Sequence, residues 1–162
     1  MLVLSRAQVE PLLDLDRVRD AVGAALSDLS AGRASMPDRV AASVEEEDAF
    51  LGAMPAYLPS SEALTAKLVS VFPHNRDRPT HQAVLVCFDA RTGTPIALMD
   101  ATSITAARTA AGSALSADLL ARPDARVLAV LGTGVQARAH LLAVSRVRAR
   151  PSDASEAPVR PM

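Results

Sequence analysis

The stretch Val127-Leu-Ala-Val-Leu-Gly132-Thr-Gly134-Val-Gln-Ala137 limits the possible folds of this chain more than any other part of it. A short, wholly apolar run feeds a glycine turn, and the following Arg138-Ala-His-Leu-Leu-Ala-Val144 reads as a helix. Strand, G-x-G-x-x-A and helix in that order form the opening of a dinucleotide-binding βαβ unit. The first glycine permits the tight turn, the second lets a pyrophosphate approach the backbone, and the small Ala137 lets helix and strand pack closely. Phosphates would rest on the free N–H groups of a helix that starts near Gly134 and carries partial positive charge at that end. The motif arrives at residue 132 of 162, which leaves little sequence for the domain it opens.

A chain of this length normally forms one domain with a sizeable core. Its apolar residues are mostly Ala, Leu and Val; there are three Phe, one Tyr and no Trp. With 17 basic against 18 acidic residues, no charge excess speaks for a nucleic-acid or anionic-membrane partner. The single Cys87 lies in Ala83-Val-Leu-Val-Cys-Phe88 and reads as a small buried hydrophobe, which suits a reducing, cytoplasmic setting. No run approaches the roughly 20 apolar residues that span a bilayer, and the N-terminus lacks a signal-peptide core.

Ser5-Arg-Ala-Gln8 has capping-box spacing and predicts a short helix ending near Pro11. Asp14 caps a longer one, with Leu15, Val18, Val22, Ala25, Leu26 and Leu29 on one face, Arg17, Arg19, Asp20 and Asp28 mostly on the other, and Gly32 to end it. Residues 38–43, 49–57, 64–72, 81–89 and 94–99 read as strands broken by Pro, Gly, Asn and charged clusters. Glu45-Glu-Glu-Asp48 is a turn, and 73–79 is a polar loop. Connections too short for crossover helices predict an antiparallel meander. One face takes the helices, and the other is expected to bury itself on a second subunit.

Residues 101–121 predict a long helix ending before Pro123, with an apolar stripe through Ile104, Ala111, Leu115 and Leu119 and with Arg108 in its midst. An arginine there either snorkels to an edge or meets a buried anion. Asp100 reads as a cap for this helix, and His140 as structural. His74 and His81 lack further ligands nearby, so no metal site is expected. Residues 122–125 form a link. From 148 to 162 three prolines and no apolar period predict a disordered tail. Asp153 and Glu156 lie about where a ribose-binding acid belongs, but in no strand, and neither is assigned that role.

Met36-Pro-Asp-Arg39, Lys67-Leu-Val-Ser-Val-Phe-Pro73-His-Asn75, Pro79-Thr-His-Gln82, Leu98-Met-Asp100, Thr105-Ala-Ala-Arg-Thr-Ala-Ala111 and Gly132-Thr-Gly-Val-Gln136 occur in that order. Together they resemble the ornithine cyclodeaminase/mu-crystallin family, over residues 1 to about 145. The resemblance implies an α+β fold: an antiparallel substrate-binding and dimerisation domain (1–121), followed by the first β–α unit of a truncated Rossmann NAD(P) domain (122–147). Members of the family are about twice as long, and their catalytic acidic residue matches nothing in these 162 positions. Thr65 stands where the family usually has Gly.

Residue by residue, the resemblance makes Arg39, Lys67 and Arg108 the holders of an amino-acid carboxylate. Thr80 and Thr109 become polar contacts near nicotinamide and phosphates, and Gly132, Gly134, Val135 and Gln136 the pyrophosphate loop. The residue types suit those roles. A guanidinium fork and an ammonium hold a carboxylate well, and fixing it aims the Cα–H bond at a nicotinamide. The plainer alternatives are a strand lysine reaching solvent, a helix-edge arginine, a loop charge at Arg39, and threonine hydroxyls bonded to nearby backbone.

The implied activity is NAD(P)-dependent: conversion of L-ornithine to L-proline and ammonia, or else cyclic-imine (ketimine) reduction or amino-acid dehydrogenation. A chain truncated in this way, with its frame shifted or ended near residue 146, is expected to show little or no turnover alone. Its rivals are a non-catalytic dimerisation or carboxylate-binding fragment and an unstable product.

Overall fold

A computed structural model describes residues 1–148. The expected tail lies outside the described residues except for Arg148, which ends the last helix. β1 (Leu2–Leu4) leads into α1 (Arg6–Val9), a single 3-10 turn at Glu10–Leu12, and α2 (Leu15–Ser30). The strands β2 (Val40–Val44), β3 (Ala49–Leu58), β4 (Ala63–Val71), β5 (His81–Asp89) and β6 (Pro95–Asp100) follow, then α3 (Thr102–Leu120) and α4 (Val135–Arg148). The strands form one sheet in the order β1-β6-β5-β4-β3-β2. From β2 to β6 every pairing is antiparallel, as the short connections predict.

The strand β1 has no counterpart in the sequence reading. It pairs in parallel with β6, Val3 opposite Leu98. Three residues are too few to show an alternation, and Ser5 directly after them begins the helix signal, so the strand leaves no local signature.

The helix ends follow the sequence closely. Gln8 Oε1 accepts from the Ser5 N–H at 2.9 Å. Asp14 Oδ1 accepts from the N–H groups of Asp16 and Arg17 at 3.1 and 2.9 Å, and these bonds lower its pKa. At the far end of α2, Gly32 takes φ +68°. Its N–H reaches the Leu29 carbonyl and that of Arg33 the Asp28 carbonyl, the paired bonds of a Schellman turn. Asp100 serves α3 as expected, its Oδ1 accepting from the Thr102 N–H at 3.0 Å.

Two helix faces differ from the expectation. Asp28, placed toward solvent by periodicity, is almost fully buried. Its Oδ1 accepts from Arg33 Nε and Nη2 at 3.0 and 2.9 Å, and its Oδ2 from the Ser60 N–H at 3.0 Å. These partners, one of them 32 residues away, make burial of the charge tolerable and lie beyond what helical spacing can show. On α3 the buried residues are Ala107, Ala110, Ala111 and Ala114, whereas Leu119 is 72% exposed. Ala110 and Ala114 pack against Ala143, Val144 and Val147 of α4. Small residues let the two helices approach closely, so size matters on this face more than the strength of its hydrophobicity. Arg148 binds the pair together, its Nη2 donating to the Ala117 and Ala121 carbonyls at the end of α3.

A second core cluster, Val69, Ala83 and Ala101, lies on the helix-covered face of the sheet, with Met54, Val71 and Leu85 packed on it. The other face keeps large apolar side chains in the open: Val40 is 64% exposed, Leu51 48% and Val84 39%. Among the described residues, no helix is long and apolar enough to cross a membrane.

Candidate functional site

Lys67 is the only lysine in the chain, and it lies half-buried in the centre of β4. Its ammonium stands 3.5 Å from Thr105 Oγ1, one turn into α3. Arg108 lies three residues further along that helix, on the same side as Thr105. Burial pushes the Lys67 pKa down, and the positive charges of Arg108 and then Arg39 push it further. Lys67 therefore stands within the fields of both arginines, although the three cations come from the residue just before β2, the middle of β4 and the middle of α3. Among the described residues no carboxylate pairs with any of them. Arg108 is exposed rather than embedded in an apolar stripe, and it opens into a cleft of about 560 Å³ with Val22, Ala25, Leu26, Thr109 and Gly112.

The remaining predicted residues are placed as follows. Thr109 donates its hydroxyl to the Thr105 carbonyl at 2.7 Å. Thr80 is exposed in the loop before β5, where its carbonyl accepts from the Phe72 N–H. Gly132 takes φ +103°, a conformation that side chains rarely adopt. A Cβ at Gly132 or Gly134 would meet no atom within 4 Å, so neither glycine is needed to fit this chain's own packing. The Gly134 carbonyl accepts from Arg138 as the first bond of α4, and this leaves the N–H groups of the first turn free toward the glycine loop. Val135 is 73% exposed. His140 is structural, its Nδ1 bonded to the Gln136 carbonyl at 2.7 Å.

The expected strand before the loop is absent as a ladder. Residues 127–131 are paired with nothing among the described residues, and Val127 and Leu131 are 93% and 94% exposed. Apolar sequence makes a strand only where a neighbour takes its N–H and C=O groups, and none lies beside this one. α3 turns Ala110 and Ala114 toward α4 but Thr105 toward β4, so the glycine turn and the cation cluster lie on different faces of α3. Cys87 is half-buried and free, its thiol pKa raised by burial. No cluster of metal-ligating side chains exists among the described residues. Thr105, which opens one of the family-like stretches but carries no expected role, and Met54, which is in none of them, both stand beside Lys67, because strand register and helix docking bring them there.

A sequence model of the ornithine cyclodeaminase/mu-crystallin family matches residues 1–150. The chain belongs to this family. Ketimine reductase mu-crystallin of Mus musculus is 44% identical over 111 residues, covering 67% of this chain and 36% of that protein. Alanine dehydrogenase of Archaeoglobus fulgidus is 38% identical over 148 residues, covering 90% of this chain and 45% of that protein. Among solved structures, Thermococcus litoralis Delta(1)-pyrroline-2-carboxylate reductase with NADH and L-proline superposes with a TM-score of 0.86 at 42% identity. It covers 91% of this chain and 46% of that one. An archaeal alanine dehydrogenase dimer with bound NAD gives 0.85 at 36% identity, over 91% and 45% of the two chains. The chain thus spans less than half the length of these relatives.

Proposed function

We propose that this chain supplies the substrate-binding and dimer-forming part (1–121) and the opening of the nucleotide-binding part (122–147) of an NAD(P)-linked oxidoreductase of amino acids or cyclic imines. One observation carries the reading: Lys67 is flanked by Arg39 and Arg108, with no acidic partner among the described residues. A half-buried ammonium beside two guanidiniums is costly unless an anion joins it. A small carboxylate fits, held by the guanidiniums through paired N–H donors and by the ammonium as a point charge.

Gly132, Gly134, Val135 and Gln136 would hold the dinucleotide pyrophosphate, since the loop has open space where a Cβ would stand and free N–H groups at the head of α4. Thr80 and Thr109 would make the polar contacts. The bound nicotinamide accepts or supplies hydride at the carbon bearing the amino or imino nitrogen. NAD is the cofactor named for the solved relatives; NADP is the alternative. Reduction of a cyclic imine, or its reverse, has more support than conversion of L-ornithine to L-proline, because the relatives just described are named as ketimine reductase, pyrroline-2-carboxylate reductase and alanine dehydrogenase.

Residues 127–131 lack a strand partner among the described residues, and we expect the 162-residue chain alone to bind carboxylate without turnover. Calorimetric titration with NADH, with and without L-proline, tests the reading. A carboxylate response with weak or absent NADH binding fits it; efficient turnover by this chain alone would overturn the expectation of inactivity. No response to any small carboxylate would remove the site.

A further inference from the structure

Strand register aligns the candidate site into a row. Lys67 is the direct partner of Met54 on β3 and of Leu85 on β5. β2 begins with Val40 opposite Ala53, and that antiparallel register, continued one residue past the end of the strand, would set Arg39 beside Met54. Side chains alternate between faces, so the same continuation would turn Arg39 to the face that carries Met54 and Lys67, in keeping with the field it exerts on Lys67. At about 4.8 Å between neighbouring strands, the Arg39 and Lys67 backbones lie about 10 Å apart with Met54 midway. Met54 is half-buried and packs on the Val69–Ala83–Ala101 cluster. It carries no charge into the gap between the two cations.

Resting on the carboxylate-binding reading above, we propose that Met54 is the positioning residue of the anion site: its thioether is the floor over which a substrate carboxylate bridges Arg39 and Lys67. Arg39 and Lys67 reach in from either side of that floor, and Arg108 closes it from α3. The floor has to be apolar. An acceptor at this position would pair with Arg39 and Lys67 itself and fill the seat permanently, whereas an uncharged, adaptable side chain leaves both cations free for the ligand.

The chain's only lysine gives a single side-chain amine signal by NMR once isotopically labelled, and its five methionines give five methyl signals, with Met54 assigned from M54L. In the ligand-free wild-type chain, the Met54 methyl is expected to shift with the midpoint at which Lys67 titrates. A Met54 methyl indifferent to that titration overturns the proposal without any destabilising variant. In Met54→Glu, the added carboxylate should raise the Lys67 midpoint and weaken L-proline binding about tenfold or more, while M54L keeps both near wild type. An unchanged Lys67 midpoint in folded M54E overturns the placement. If L-proline never moves the Lys67 signal but M54E still raises its midpoint, Met54 stands between the cations as placed, and it is the carboxylate reading that fails.

Discussion

Lys67 keeps a charge where burial and two arginines oppose it. Its folded pKa lies below the unfolded value, so between the two the unfolded chain holds more protons and stability rises with pH. Lys67→Met removes that dependence. It is expected to raise the melting temperature at neutral pH and to abolish the carboxylate response, which thermal scans and L-proline titration would show together. Asp28 has the opposite sign. Its hydrogen bonds from Ser60 and Arg33 hold the carboxyl below the usual range, so it stabilises the fold above the unfolded pKa and loses that effect as pH falls through the folded one. Asp28→Asn should therefore be less stable than wild type at neutral pH, with a difference that shrinks on acidification; a constant difference would contradict the assignment. Arg39, Lys67 and Arg108 were legible in the sequence because each lies inside a family-like motif. Asp28 and Met54 lie in no such motif, and Thr105 lies in one without a role attached to it; the importance of all three comes from partners supplied by register and packing.

At the level of elements, five of the six strands were legible in the sequence to within about two residues because Pro, Gly and charged clusters bracket them. α3 illustrates where such reading stops. Its length is evident from the absence of breakers over 19 residues, but an alanine-rich helix shows little amphipathic contrast, so the buried side could not be chosen from periodicity. Gly112 in that helix offers a test of local energetics. A Cβ there would lie 4.0 Å from Val22 Cγ1, so Gly112→Ala should stabilise the chain by about 1 kcal/mol through backbone entropy. In the sheet, Val69 is 3% exposed at the centre of its cluster, and Val69→Ala should cost about 2 kcal/mol. Denaturant titrations read both values.

For the whole molecule, the open sheet face decides behaviour in solution. Val40, Leu51 and Val84 present apolar surface that a lone chain leaves wet, and burying it on a second copy is the proposed remedy. Light scattering is expected to give a dimer for the wild-type chain and a monomer for Leu51→Asp, since a charge there would be desolvated in the interface; a wild-type monomer at micromolar concentration would count against the proposal. The strand expected at 127–131 finds no ladder among the described residues for a related reason. The run 127–131 is apolar enough for a sheet interior, but a ladder is a property of two segments, and one sequence window describes only its own half.

The parallel pairing of β1 with β6 has a consequence for biogenesis. Leu2 waits for Ala97, 95 residues later, and at about 5–20 residues per second that delay is roughly 5–20 s on the ribosome. For that interval the first strand leaves the exit tunnel without its partner, so the sheet closes late, and a fusion or trimming at the N-terminus would act on its last step of assembly.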